Sequence, residues 1–221
     1  GASAQGRLGN GLREVRGLQI MGYGDELMAM GEAESIRRAT GARVLIVDQN
    51  GAPRWSPVWE NHPAVARSEK ELHRARLTNC PGHRPYIKEW VTADGAAMAI
   101  YSDWRSRDNL GHLVLSPAET DLGLELRSKI GPFIVIEPHV RKNASPNKDW
   151  GFDRYQELVR KLPDLRFVQL GEDSRPLEGV LRVRTASFRD ACGVLAQAEA
   201  YVGPEGGMHH AAAPRRRPPA V

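Results

Sequence analysis

The sequence predicts an α/β protein made of two Rossmann-like halves, each with a parallel sheet. Three observations carry that expectation. Short apolar runs bounded by turn residues, such as Val44-Leu45-Ile46-Val47 and Phe133-Ile134-Val135-Ile136, alternate with stretches whose apolar residues recur every three or four positions. The first succession is a strand over Gly17–Met21, a helix from Leu27 and a strand over Ala42–Asp48. It fills about 30 residues, the length of a βαβ unit, which requires parallel pairing and a right-handed crossover. Near the other end, Ala200-Tyr201-Val202 passes through Gly203-Pro204-Glu205-Gly206-Gly207 into the alanine-rich Met208–Ala213, again a strand, a glycine turn and a helix start.

Taken in order, residues 1–16 have no apolar period and read as a flexible lead-in, with Gly1-Ala2-Ser3 as a cloning remnant. Leu27, Met30, Ala33 and Ile36 form one face of the first helix, and Gly41 stops it. From Gln49 to Asp108, Trp55, Trp59, Trp90 and Trp104 interleave with prolines and charges, which predicts long loops with short strands such as Ala97–Tyr101. Those aromatics either pack under the loops or line a cleft. Residues 111–121 and the polar 125–129 read as a connection, so a domain boundary is placed near Lys129. A second α/β pattern follows. It has a strand over Phe133–Ile136, a polar loop from His139 to Asp149, and a helix over Phe152–Leu162 with Phe152, Tyr155, Leu158, Val159 and Leu162 on one face. Strands over Arg166–Gly171 and Val180–Arg184 come next, and Ser187 with Asp190 opens a helix through Ala198.

Composition narrows the functional classes. With 221 residues, 41% apolar and 26% charged, the chain has room for one large or two small domains and lacks the signature of disorder or of a coiled coil. No apolar run approaches the roughly 18 residues of a membrane span and no secretory core is read at the start, so a cytoplasmic location is expected. Cys80 and Cys192 fit no zinc spacing, and neither a disulfide nor a cofactor is expected. Three of the four net positive charges come from Arg215, Arg216 and Arg217, which argues against a nucleic-acid-binding face.

The chemistry concentrates in the glycine turn. Glycines let backbone approach a ligand closely, and N–H groups at a helix start favour anions, although many α/β proteins use the same turn merely to reverse the chain. Glu205 and His209, four residues apart, suggest a metal site only weakly, because no Asp-x-Asp pair accompanies them; no metal is expected.

Five ordered motifs carry a family resemblance. They are Gly24-Asp25 after the first strand, Lys148-Asp149-Trp150 before a helix containing Tyr155-Gln156-Glu157-Leu158, Phe167–Gly171, Ser187–Leu195, and Gly203–Ala213 with its Glu205, Gly207 and His210. Together they resemble the heptosyltransferase-like glycosyltransferases of family 9, which have the two-domain GT-B architecture. The resemblance implies inverting transfer of a sugar from a nucleotide diphosphate sugar to a glycan or lipid-linked acceptor, without a metal. On that reading residues 17–129 hold the acceptor, residues 130–213 hold the donor and residues 214–221 are a basic tail. Asp25 matches the catalytic base, with a helix N-cap as the alternative role. Lys148 matches a lysine near the donor phosphates. Gly206, Gly207 and Met208 would offer N–H groups to the diphosphate, His210 would bond phosphate or backbone, and Glu205 would accept from sugar hydroxyls or cap the turn.

The family pattern continues beyond the alanines with another strand and closing helices, whereas here Pro214–Val221 ends the sequence. The expectation is a truncated C-terminal half with a mobile segment from about Gly206, weak activity, and a second chain covering the open sheet edge. A lipid-linked acceptor would place the protein against the inner face of the membrane. A non-catalytic nucleotide-sugar or carbohydrate binding module and a GT-B sugar-nucleotide epimerase remain alternatives.

Overall fold

The computed structural model describes residues 21–71, 74–85, 87–93, 96–101, 110–140, 146–170 and 175–213. Of the expected first strand only Met21 falls within them, and it is buried. Trp104, the expected loop residues 141–145 and the tail 214–221 lie outside the described residues.

The first half begins with α1 (Tyr23–Thr40), which buries Leu27, Met30 and Ala33 and ends at Gly41 as the spacing predicts. Strand β1 (Arg43–Val47) lies between β2 (Val65–Ala66) and β3 (Arg74–Thr78), parallel to both. An antiparallel hairpin of β4 (Ile87–Ala93) and β5 (Ala96–Tyr101) makes a separate sheet.

Residues 117–130 correct the sequence reading, which treated this stretch as a connection. They form a helix, α2 (Pro117–Ile130), opened by a full capping box between Ser116 and Glu119 with Pro117 in the first turn. Helix α2 fully buries only Gly123, while Leu122, Leu126 and Ile130 pack part-buried against the main cluster. It meets α4 (Phe188–Leu195) through bare backbone: a Cβ on Gly123 would stand 2.5 Å from the Gly193 carbonyl oxygen, and one on Gly193 would stand 1.7 Å from that of Glu119. Close approach of two glycine-bearing helices adds to the side-chain ridge of Leu122, Leu126 and Ile130.

The second half holds β6 (Ile134–Ile136), α3 (Phe152–Lys161), β7 (Phe167–Leu170), β8 (Leu181–Val183), α4, β9 (Ala200–Val202) and α5 (Gly207–Ala212). Its four strands are parallel in the order β8-β7-β6-β9. The chain therefore winds outward from β6 to β8 and then crosses back to β9. Such a reversal leaves a crevice outside the C-terminal ends of the two strands at the switch point, where open parallel sheets bind ligands. Here those strands are β6 and β9, so the crevice is bounded by the loop after Ile136 and the turn after Val202.

One buried cluster runs through both halves, from Leu27, Met30, Val44, Ile46 and Trp59 to Phe133, Val135, Val168 and Leu195. A second, with Ile136, Tyr155, Val159 and Phe167, seats α3 on the other face of the β8-β7-β6-β9 sheet. The short α5 also departs from expectation. The packing that the sequence reading assigned to a further strand comes instead from α1, with Ala211 buried and Met208 and Ala212 set against the main cluster. Trp59 is fully buried and donates its indole N–H to the Glu26 carbonyl at 2.9 Å, a packing role; Trp55 is 38% exposed.

Candidate functional site

The crevice between β6 and β9 collects the charged residues that the motifs singled out. Lys148 closes a short 3-10 turn, Pro146–Lys148, in the loop after β6, and its ammonium pairs with the Glu205 carboxylate. Glu205 stands in the turn after β9 and also accepts from His210 Nε2 at 2.8 Å. One carboxylate thus bridges a lysine from one loop and a histidine from the following helix. Burial pushes the Glu205 carboxyl up, but the hydrogen bonds from Lys148 and His210 outweigh it and hold the group below its ordinary range. His209 is exposed in the same helix, and its pKa is lowered by partial desolvation and by the neighbouring His210. Among the described residues, no group of three or more His, Cys, Asp or Glu side chains is placed to hold a metal ion.

The start of α1 forms the opposite wall. A Cβ on Gly24 would lie 2.6 Å from His210 Cδ2 and 3.6 Å from the Gly206 carbonyl carbon, so a side chain here would have to push the His210 ring aside. Beside it the Tyr23 and Phe188 rings stack at 4.3 Å, and Gly207 lies close against the pair, where an added Cβ would stand 3.1 Å from each residue. Asp25 follows Gly24 directly, in the first turn of α1. It is not the N-cap, a position held by Gly22 with no side-chain cap bond. Its carboxylate is partly exposed and lies 3.3 Å from Arg84 Nη1. The structure therefore brings Gly24 of the predicted acceptor side against Gly206 and His210 of the predicted donor side, with Lys148 and Glu205 completing the cluster. Met208 packs into the core by its side chain and reaches the site only as backbone.

Several residues that shape the site had no sequence signal. Glu26, next to Asp25, is buried and bound by Arg54 Nη2 at 2.7 Å and Asn79 Nδ2 at 2.9 Å. Burial pushes its pKa up while Arg54 and Asn79 pull against it. This buried knot, with Trp59 on the Glu26 carbonyl, fixes the helix start that carries Asp25. On the other side Glu137 ends β6, where burial raises its carboxyl to about 7. Tyr201 on β9 is raised in turn, first by burial and then by the Glu137 charge.

Arg189 joins the two halves. It is 6% exposed, pairs with Glu119 through both Nε and Nη2, and donates to the carbonyls of Val114 at 2.7 Å and Pro57 at 3.1 Å. The hydrogen bond from Arg189 and the capping contacts of Ser116 bring Glu119 down to about 2. Glu119 and Pro57 lie 70 and 132 residues from Arg189 along the chain, beyond the reach of a local pattern, although the Ser116-x-x-Glu119 capping box was readable.

A groove of about 510 Å³ lies on the first half, lined by Trp55, Trp59, Asn61, His62 and Arg67, with the Arg67 guanidinium 4.6 Å over the Trp55 ring. No described helix is long and apolar enough to cross a membrane.

With this geometry in view, one solved structure is similar in fold. The crystal structure of the glycosyl transferase family 9 from Veillonella parvula DSM 2008 aligns with a TM-score of 0.55 at 11% sequence identity, covering 87% of this chain and 76% of that one. Searches with protein-family profiles and against curated sequences return no match. At 11% identity the likeness is one of fold alone, an α/β arrangement with two parallel sheets.

Proposed function

We propose that this chain is an inverting glycosyltransferase that moves a sugar from a nucleotide diphosphate sugar to a hydroxyl of a glycan or lipid-linked acceptor. The observation that carries the reading is the convergence at the β6/β9 crevice of Lys148, Glu205 and His210 with the Gly24-Asp25 start of α1. Residues 130–213 would hold the donor and residues 17–129 the acceptor. The Trp55–Arg67 groove is a candidate for the acceptor's more distant parts.

In this mechanism Asp25 accepts the proton of the attacking hydroxyl. The acceptor oxygen bonds to the anomeric carbon as the bond from that carbon to the diphosphate oxygen breaks, and the nucleotide diphosphate departs from the opposite face. Lys148 and His210 offset the charge that develops on the leaving group, and the backbone N–H groups of Gly206, Gly207 and Met208 add donors without moving. Arg84 orients the Asp25 carboxylate. Asp25→Asn keeps the shape but cannot take the proton, so transfer should fall by about 10²- to 10⁴-fold while donor affinity is retained. A variant that transfers sugar at the parent rate would leave Asp25 a structural residue and count against the reading.

A further inference from the structure

Lys148 and His210 approach the crevice from different elements, the loop after β6 and helix α5, yet both bind the same carboxylate. That carboxylate is Glu205, in the turn after β9. The bridge is open to solvent on one side: the Lys148 and Glu205 side chains are 40% and 43% exposed, so an ion can reach it without disturbing the core. An ion pair this exposed is weak, because water screens it and two mobile side chains must be held in place. A ligand with several charges and many acceptor oxygens can take both cations from a carboxylate of one charge. A singly charged ligand merely exchanges one weak pair for another.

Resting on the donor reading above, we propose that Glu205 is the resident counter-ion of this anion site and sets its charge selectivity. A ligand enters by displacing the Glu205 carboxylate from Lys148 and His210, which favours a diphosphate over anions of lower charge. The role differs from that expected for Glu205 in the sequence, where it served sugar hydroxyls or the turn. Lys148 and His210 thereby stay oriented toward the crevice, and the site discriminates against the abundant smaller anions that a bare lysine and histidine would collect.

The test is calorimetric titration of the full chain with pyrophosphate and, separately, inorganic phosphate, in the parent, Glu205→Gln, Lys148→Ala and the double variant. The expected result is that Glu205→Gln binds pyrophosphate about three- to tenfold tighter and gains proportionally more for phosphate, so the preference narrows. In the Lys148→Ala background the gain should shrink toward none. Pyrophosphate binding by the parent that is unchanged or weakened in Glu205→Gln overturns the proposal and leaves the anion site standing. A gain that persists undiminished without Lys148 is long-range charge repulsion and overturns it as well. Absence of pyrophosphate binding in the parent and in Glu205→Gln overturns the donor reading itself, and the proposal with it.

Discussion

Two glycine contacts join the halves of this protein, and they are built to opposite ends. At the α2–α4 crossing the partner of each glycine is backbone, the carbonyls of Gly193 and Glu119, and the neighbouring Arg189–Glu119 pair is nearly closed to water. At the α1–α5 contact the nearest partner of Gly24 is the imidazole of His210, and the neighbouring Lys148–Glu205 pair is about two-fifths exposed. Backbone cannot rotate away from an added methyl group, whereas an imidazole can. The first contact therefore fixes how the halves meet, and the second leaves room for charged groups to exchange partners where the ligand is proposed to bind.

The largest effect that separates them is expected at Gly193. A methyl group there meets backbone on the facing helix, so Gly193→Ala should destabilise the fold by about 3 kcal/mol or more. For a chain of this length that is a drop in Tm of roughly 6–12 °C, measurable by calorimetry. An unchanged Tm would mean that the crossing is looser than described and would remove the contrast.

Arg189→Ala comes next. It strips Glu119 of its main partner and leaves the carbonyls of Val114 and Pro57 without their donor. Breaking a buried pair costs about 3–5 kcal/mol, and because the Glu119 side chain is 19% exposed we expect about 2–4 kcal/mol. The loss should depend on pH. Glu119 falls from an ordinary 4.5 to about 2 on folding, so the unfolded chain binds the extra proton between those values. Its contribution is present above pH 4.5 and disappears as pH falls through about 2. The stability gap between parent and Arg189→Ala, followed by denaturant melts, should therefore narrow across that window; a constant gap would exclude the ion pair as its source.

At the second contact the smallest stability change is expected, with a functional one in its place. Gly24→Ala gains about 1 kcal/mol of helix propensity and loses a similar amount in pushing the His210 ring aside, so the melt should move by less than about 1 kcal/mol. Donor affinity should nonetheless weaken, because the displaced His210 ring no longer faces the crevice. A large loss of stability at Gly24 would show that both contacts are rigid.

The same contrast explains what could be read from the sequence. The strands at Arg43–Val47, Ala96–Tyr101, Ile134–Ile136, Phe167–Leu170 and Leu181–Val183, the Gly41 stop, the Ser187 cap and the strand-turn-helix at Gly203–Ala213 are local patterns, and each appears within a few residues of its expected place. Asp25, Lys148, Glu205 and His210 were singled out because a motif marked them. What the sequence could not supply was the β8-β7-β6-β9 order that gathers the last three at one crevice. Helix α2 was missed because Leu122, Leu126 and Ile130, which pack on the core, are interspersed with charges, and its closest contact is made by Gly123 and Gly193. The Glu26–Arg54–Asn79 knot was missed because its partners are 28 and 53 residues away from Glu26, and an isolated acid in a first helical turn looks like any other.

The central claim is that Lys148 and its neighbours hold a nucleotide diphosphate sugar. Thermal shift with ADP-, UDP-, GDP- and CMP-sugars identifies the donor, since a ligand at about 100 times its dissociation constant stabilises the fold by about 2.7 kcal/mol. The deciding measurement is calorimetric titration of that donor into the parent and Lys148→Ala. The account predicts a loss of about 1–3 kcal/mol in binding free energy, the range for a charge-assisted hydrogen bond, with Tm unchanged. Equal affinity in the two proteins would contradict it.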